Sequence, residues 1–168
     1  MTIAQILSKM IAASNGNIHD IDHLLRVWAY ARTIGELEGL DAETQYLLEV
    51  AAITHDIACP LCREKYGNTN GKYQEQEGAV LVRSFLADTG MTEAQIARVA
   101  YLVGHRNIHG PDYQILIEAD YIANASENGY SKQSVMHFMD TVMKTASGKH
   151  LAASVLDISA SNLGCAGR

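Results

Sequence analysis

Histidine and carboxylate side chains at inward-facing helical positions are the residues of this sequence best suited to chemistry. The pair His55-Asp56 lies near the end of the apolar run 47–58, and Leu48 and Ala52 lie seven and three residues before His55 on the same helical face. Asp56 follows Ala52 by four residues and therefore also leans inward. A carboxylate in a core is costly unless its charge is compensated, and a metal ion would bind both side chains. For this dipeptide alone, a buried His–Asp hydrogen bond or an Asp–Arg pair is the better explanation.

Two further polar residues, His23 and Asp120, occupy mostly apolar helical faces. Val27 and Tyr30 follow His23 at four and seven residues, although a single histidine in such a position is more often a hydrogen-bonded core residue. Leu116 lies four residues before Asp120, which places a second carboxylate on a core-facing stripe. An uncompensated charge at such a position would cost roughly 3–5 kcal/mol.

Taken together, these four side chains predict a metal site. They come from three predicted helices, and two imidazoles with two carboxylates complete a mononuclear site that keeps open positions for water. One divalent cation would compensate both carboxylates. Nitrogen and oxygen ligands do not identify the metal, so Fe, Mn, Ni, Zn and Mg are all candidates.

The order of these residues resembles that of the HD-domain superfamily of metal-dependent phosphohydrolases. The resemblance covers 18–128 and rests on His23 with Arg26-Val27, on His55-Asp56-Ile57-Ala58, and on Glu118-Ala119-Asp120 with Asn124. It implies an all-α fold, a compact helical bundle of about seven or eight helices, with one metal held by His23, His55, Asp56 and Asp120. It also implies hydrolysis of a small phosphate ester, with a nucleotide as the leading candidate.

This sequence departs from the family pattern at two positions. Binuclear members commonly place a histidine four residues before a helical glycine, where this chain has Gln74 before Gly78. Gln is a weak ligand, which counts against a second metal, although His105 falls where such members place another ligand. Cys59 stands three residues after Asp56, where many members have Glu or Lys. Two alternatives stay open: an HD-type di-iron oxygenase, which needs two metals, and a regulatory module that binds a metal or nucleotide without turnover.

The predicted chemistry is attack by a metal-activated water, since a bound divalent ion lowers the pKa of its water toward ~7. Asp56 or Asp120 would orient that water. The candidate phosphate or substrate contacts are Arg63, Lys65, Lys72, Arg106 and Asn124, and the candidate proton donors are Glu75, Glu77 and His105. Taken singly, each Lys or Arg is as well explained as a solvated surface charge, and both glutamates as exposed helix residues.

Composition limits the remaining possibilities. The chain has 168 residues, 48% hydrophobic and 19% charged, which predicts one globular domain over 1–168 with a disordered tail at 161–168. A net charge of -6 argues against general nucleic-acid binding, and no apolar run is long enough to span a membrane. Three cysteines form no disulfide framework, so we expect a cytoplasmic location. The pair Cys59 and Cys62 lacks a redox context, and we expect it to be dispensable for the chemistry.

Apolar periodicity, caps and breakers predict a chain that is helical almost throughout. Two prolines occur, neither inside a periodic segment, and no stretch shows strict two-residue alternation. Helices are predicted over 2–13, 18–38, 41–57, 73–88, 92–104, 111–127, 131–145 and 149–159. Loops are predicted over 59–72 and 105–110.

Overall fold

A computed structural model of the chain describes residues 1–105 and 109–158. Within these ranges it contains nine helices and no strand, which confirms the all-α fold class. The helices are α1 (Ile3–Ala13), α2 (Ile18–Leu37), α3 (Ala42–Thr54), α4 (Cys59–Tyr66), α5 (Gly71–Leu86), α6 (Glu93–Gly104), α7 (Pro111–Asn128), α8 (Lys132–Thr141) and α9 (Ala146–Val155). No helix of the described ranges is both long and apolar enough to cross a bilayer.

Side-chain caps explain where most of these helices begin. Thr2 and Thr92 form capping boxes with Gln5 and Gln95, each pair satisfying two backbone N–H groups. Asp41 caps α3 by accepting from the backbone of Glu43 and Thr44. These caps are visible in the sequence, so the predicted helix starts agree closely with the structure.

The structure corrects the prediction of a continuous loop over 59–72. Its first half is the helix α4, which has Pro60 in the first turn and ends at Gly67 in the left-handed conformation with φ 69°. Two other predicted helices end early. α3 ends at Thr54 rather than near 57, and α8 ends at Thr141, because Thr145 caps the separate helix α9.

The core is formed chiefly by α2, α3 and α7, which pack against one another, while α6 packs against α3 and α5 packs against α6. Completely buried aliphatic side chains fill the space between them, among them Ile34, Leu48, Ile53, Ile115 and Ile122. Each such side chain contributes about 1.5–3 kcal/mol through burial. This packing fixes the relative positions of the three segments that carry the predicted metal ligands.

Candidate metal centre

The four predicted ligands converge at one end of the α2–α3–α7 core. His23 lies in the second turn of α2, His55 and Asp56 lie in the turn that follows α3, and Asp120 lies in the third turn of α7. The Nε2 atom of His23 is 3.2 Å from the Nε2 atom of His55 and 3.2 Å from Oδ1 of Asp120. His55 Nε2 and Asp120 Oδ1 are 3.6 Å apart.

Asp56 closes the group from the side of the turn. Its Oδ2 atom is 3.6 Å from His23 Nε2 and 3.7 Å from His55 Nε2. The ligand atoms of His23, His55 and Asp56 all lie within 4.8 Å of one another. Ligand atoms bound at ~2.0–2.1 Å around a tetrahedral ion are about 3.3 Å apart, so this spacing fits one ion.

Hydrogen bonds on the far side of each imidazole explain why the Nε2 atoms face each other. Nδ1 of His23 is 2.9 Å from Oε2 of Glu127, and Nδ1 of His55 is 2.8 Å from the carbonyl oxygen of Ala52. Both Nδ1 atoms therefore donate, and in the neutral tautomer each Nε2 presents its lone pair to the cluster. Two facing lone pairs require a proton or a cation between them, and the two adjacent carboxylates favour a cation.

In the metal-free site, the charged groups shift one another's pKa values strongly. Burial alone would lower the pKa of His55, but Asp56 and Asp120 outweigh it and raise that pKa to about 9. Burial would also lower the pKa of His23, but the hydrogen bond with Asp120 and the nearby carboxylate charges outweigh burial and raise that pKa. Burial would raise the pKa of Asp120, yet hydrogen bonds from both histidines hold it well below its usual range. Asp120 is therefore a carboxylate at neutral pH.

A line of polar residues on α7 supports the cluster. Asn124 donates from Nδ2 to Oδ1 of Asp120 at 2.8 Å, which orients that carboxylate. Glu127, one turn further, holds His23 with one oxygen, while Arg26 Nη1 lies 3.8 Å from the other. Sequence reasoning missed Glu127. Its signal was present, because Asp120, Asn124 and Glu127 are spaced i, i+4, i+7 and share one helical face.

A cavity of about 410 Å³ opens beside the cluster. α2 contributes His19, Asp20 and His23 to its wall, and α4 contributes Cys59 and Arg63. The segment before α5 and the start of that helix contribute Thr69, Gly71 and Gln74. His19 and Asp20 were not predicted, although they precede His23 by four and three residues and therefore lie on its helical face.

Two of the predicted substrate contacts line this cavity. Asn124 borders it from α7, and Arg63 borders it from α4, where its Nη2 contacts Oδ2 of Asp20. Gln74, which stands where binuclear members have a ligand, also borders the cavity and donates to the carbonyl oxygen of Thr69 at 2.8 Å. Its amide nitrogen is therefore engaged with the backbone.

The other predicted contacts lie elsewhere. Lys65 pairs with Glu77 at 2.7 Å, the Tyr66 hydroxyl donates to the same carboxylate at 2.6 Å, and none of the three lines the cavity. Lys65 and then Tyr66 hold the pKa of Glu77 below its usual range, so this carboxylate is ionised and unsuited to donate a proton. Lys72 and Glu75 do not line the cavity either, and Arg106 lies outside the described residues.

His105, a predicted proton donor, lies apart from the residues that line this cavity. His105 is exposed after the last turn of α6, its ring packs on Tyr101 with centroids 4.4 Å apart, and it does not line the cavity. Asp120 lies nine residues beyond Pro111, which is about 14 Å along a helix axis, so the start of α7 is remote from the ligands.

Both cysteines of the C-x-x-C pair are buried free thiols, but they have different neighbours. Cys59 lines the cavity, and burial, together with Asp56 and Asp20, raises its pKa well above the usual range. Cys62 is completely buried. A thiol with a raised pKa stays protonated and is a poor nucleophile, which agrees with the absence of a redox role in the prediction. Cys165 lies outside the described residues.

Comparison with known proteins gives one family and one fold relative. The HD domain family model matches residues 20–127, which is more than half of the chain. A predicted HD superfamily hydrolase from an uncultured Thermotogales bacterium has a similar structure, with a TM-score of 0.67 and 21% identity over 95% of this chain and 88% of that chain. No curated protein matches the sequence. At this identity the structural likeness shows the fold alone.

Proposed function

This chain belongs to the HD-domain family, and we propose that it is a metal-dependent phosphohydrolase that acts on a small phosphate ester. Nucleotides are the first substrate class to test. The observation that carries the proposal is the convergence of two imidazoles and two carboxylates, from three separate segments, at the edge of a polar cavity. We propose His23, His55, Asp56 and Asp120 as the ligands of one divalent ion.

When bound, such an ion supplies an acidified water and polarises a phosphoryl oxygen. Asp120 keeps its negative charge, and its orientation is fixed by Asn124, so this carboxylate can orient an attacking water. Asp56, whose Oδ2 atom lies 3.6 and 3.7 Å from the two histidines, can do the same. Arg63 is placed to contact the phosphate from the α4 wall of the cavity.

Two alternatives from other functional classes are separated from this proposal by metal content and turnover. A di-iron oxygenase would need a second ligand set, and Gln74, which stands where binuclear members have a histidine, is a weak ligand. A regulatory module without turnover is favoured by Cys59, which stands at the cavity where many family members have an acid or a lysine. The free thiols of Cys59 and Cys62 support the proposed cytoplasmic location.

The test begins with elemental analysis of the purified protein, for which we expect about one divalent ion per chain. Asp56→Ala should abolish binding, because it removes a charge and a ligand. Phosphate release is then measured for nucleoside mono-, di- and triphosphates with Mn, Fe, Co, Ni, Zn or Mg. Full metal retention in Asp56→Ala would refute the ligand assignment, and turnover of no ester under any metal would favour the regulatory module.

A further inference from the structure

The charges around the cavity disfavour a ligand that carries several negative charges. Four carboxylates border it: Asp20, Asp56, Asp120 and Glu127. Among its described lining residues, Arg63 is the one lysine or arginine. A site built to hold several phosphate groups needs an excess of cationic groups, and the described wall of this cavity has the opposite excess.

In the metal-loaded site, a positive charge compensates the charge of each carboxylate. Arg63 contacts Asp20, and Arg26 lies 3.8 Å from Glu127, which also accepts from His23. One divalent ion matches Asp56 and Asp120. The loaded site is therefore close to neutral, and each additional phosphate group would add negative charge opposite carboxylates that stay in place.

Arg63 nevertheless retains the capacity to bind one phosphate. Its contact with Asp20 uses Nη2, and a guanidinium carries five N–H donors in a planar fork. Asp20, which is largely buried, holds the exposed Arg63 side chain across the wall between α2 and α4. A phosphate oxygen can thus be contacted by the ion on one side and by this guanidinium on the other.

The rest of the described lining is polar and uncharged. Thr69, Gln74 and Asn128 present hydroxyl and amide groups on the walls away from the ion ligands. Such groups suit a hydroxyl-rich alcohol, such as a sugar or a nucleoside, better than an apolar one. The cavity volume of about 410 Å³ accommodates a ligand of that size.

We infer that the substrate of this site is a phosphate monoester with a single phosphoryl group, discriminated from di- and triphosphates by Arg63 and its partner Asp20. This inference rests on the proposed phosphohydrolase function. Arg63 is the specificity-determining residue, because it contacts the phosphate itself. Asp20 is a positioning residue that acts through Arg63.

The test uses the full chain loaded with Mn²⁺, with free Mn²⁺ held constant because polyphosphates chelate it. Calorimetry measures binding of orthophosphate, pyrophosphate and tripolyphosphate, and turnover is compared for adenosine 5′-mono-, di- and triphosphate. We expect orthophosphate to bind at least about tenfold more tightly than tripolyphosphate, and the monophosphate to have the highest kcat/KM. Loss of the charge-assisted contacts in Arg63→Gln should weaken orthophosphate binding by about tenfold to a hundredfold, with unchanged Mn²⁺ content.

Arg83→Gln is the matched control, since Arg83 is another half-exposed arginine paired with a carboxylate, Glu93, and does not line the cavity. It should bind orthophosphate as the unmodified chain does. Tighter binding of tripolyphosphate, or unchanged orthophosphate affinity in Arg63→Gln, would overturn the inference while leaving phosphohydrolase activity intact. If no ester is hydrolysed but Arg63→Gln still weakens orthophosphate binding, the anion site stands and the proposed function fails.

Discussion

Glu118 and Asp120 are two carboxylates on the same helix, two residues apart, with opposite surroundings. Glu118 is completely buried and accepts from Gln114 Nε2 at 2.6 Å, from the backbone of Lys144 and Thr145 at 2.7 and 3.1 Å, and from the Thr145 hydroxyl. Asp120 is paired with two histidines and Asn124, and its side chain keeps 38% of its surface exposed.

The difference lies in what saturates each carboxylate. Glu118 is satisfied by neutral, fixed donors, so it needs no external partner and fastens the segment between α8 and α9 to α7. Asp120 faces groups that can lose their protons and borders a cavity, so its negative charge remains available to a cation. Burial of a carboxylate alone does not separate structural from functional roles, whereas the chemistry of its donors does.

Asp120→Asn is the most direct test of the functional role of Asp120. We expect loss of metal binding and a fall in turnover on the order of 10³-fold, equivalent to about 4 kcal/mol of transition-state stabilisation. The free energy of unfolding of the metal-free protein should also fall, because the neutral amide no longer pairs with His23 and His55, whose pKa values the Asp120 carboxylate raises. Metal analysis, turnover and urea unfolding measure the three quantities. Retained metal with normal turnover would move Asp120 into the structural class.

Glu118→Ala should have the opposite profile. It leaves the backbone N–H groups of Lys144 and Thr145 without their acceptor, so we expect a loss of about 3–5 kcal/mol in unfolding free energy. The folded fraction should still bind metal normally. Gly148→Ala is a second probe of the same contact, because a Cβ at Gly148 would collide with the Glu118 carboxylate. Unchanged urea midpoints in both variants would show that this hydrogen-bonded group is not a stability element.

The pH dependence of stability should differ between the metal-free and the metal-bound protein. In the metal-free chain the pKa of His55 is raised to about 9 from its ordinary value of 6.5, so its protonation stabilises the fold. That contribution is fully present below pH 6.5 and is lost as the pH rises through about 9. A metal must displace this proton, so its apparent affinity should fall about tenfold per pH unit below 9.

Urea unfolding of the chelator-treated and the metal-saturated protein between pH 6.5 and 9 would check this difference. The metal-free midpoint should decline with pH. The metal-saturated midpoint should stay nearly level above about pH 7, because His55 is then unprotonated both in the metal-bound fold and in the unfolded chain. Parallel curves for the two forms would mean that His55 does not exchange its proton for the metal.

Glu127→Gln tests the support behind His23. The amide oxygen of the variant can still accept the hydrogen bond from Nδ1 of His23. It no longer supplies the negative charge that makes His23 a better ligand. Outer partners of this kind are typically worth about 10–100-fold in metal affinity. Metal titration measures the change. Glu36→Gln serves as a control, because Glu36 is an exposed carboxylate that pairs with Arg32 at 2.9 Å. Equal affinity in the two variants would remove Glu127 from the site.

The ligand cluster could be predicted because helical periodicity specifies which face of each helix a residue occupies. The four ligands lie on mostly apolar faces, and the structure brings them together: His23, His55, Asp56 and Asp120. The same periodicity places Glu127 on the face of Asp120 and Asp20 on the face of His23. They can be recognised as site residues only once Asp120 and His23 are known to lie at a site. Their burial depends on neighbouring helices, which the local pattern does not describe.

Other misses have different physical causes. The sequence does not predict α4, because Gly67 to Gly71 is rich in Gly and Asn and the eight residues before them, about two turns, give little helical signal. Periodicity gives the face of a helix but not the position of a residue just beyond its last turn relative to another helix. The exposure of His105 and its contact with Tyr101 could therefore not be predicted from the sequence.

His105→Ala is therefore expected to have the smallest effect of this series. The side chain is exposed and contacts Tyr101, where Nδ1 lies 3.2 Å from the carbonyl oxygen, so its loss should cost less than about 0.5 kcal/mol. Turnover should stay within about twofold of the unmodified chain, since a proton donor at the site would be worth ~10²–10⁴-fold. Metal content and kcat measured beside Asp120→Asn separate the outcomes: loss of a second metal equivalent would revive the di-iron alternative, and a large fall in kcat with one metal retained would return His105 to the site.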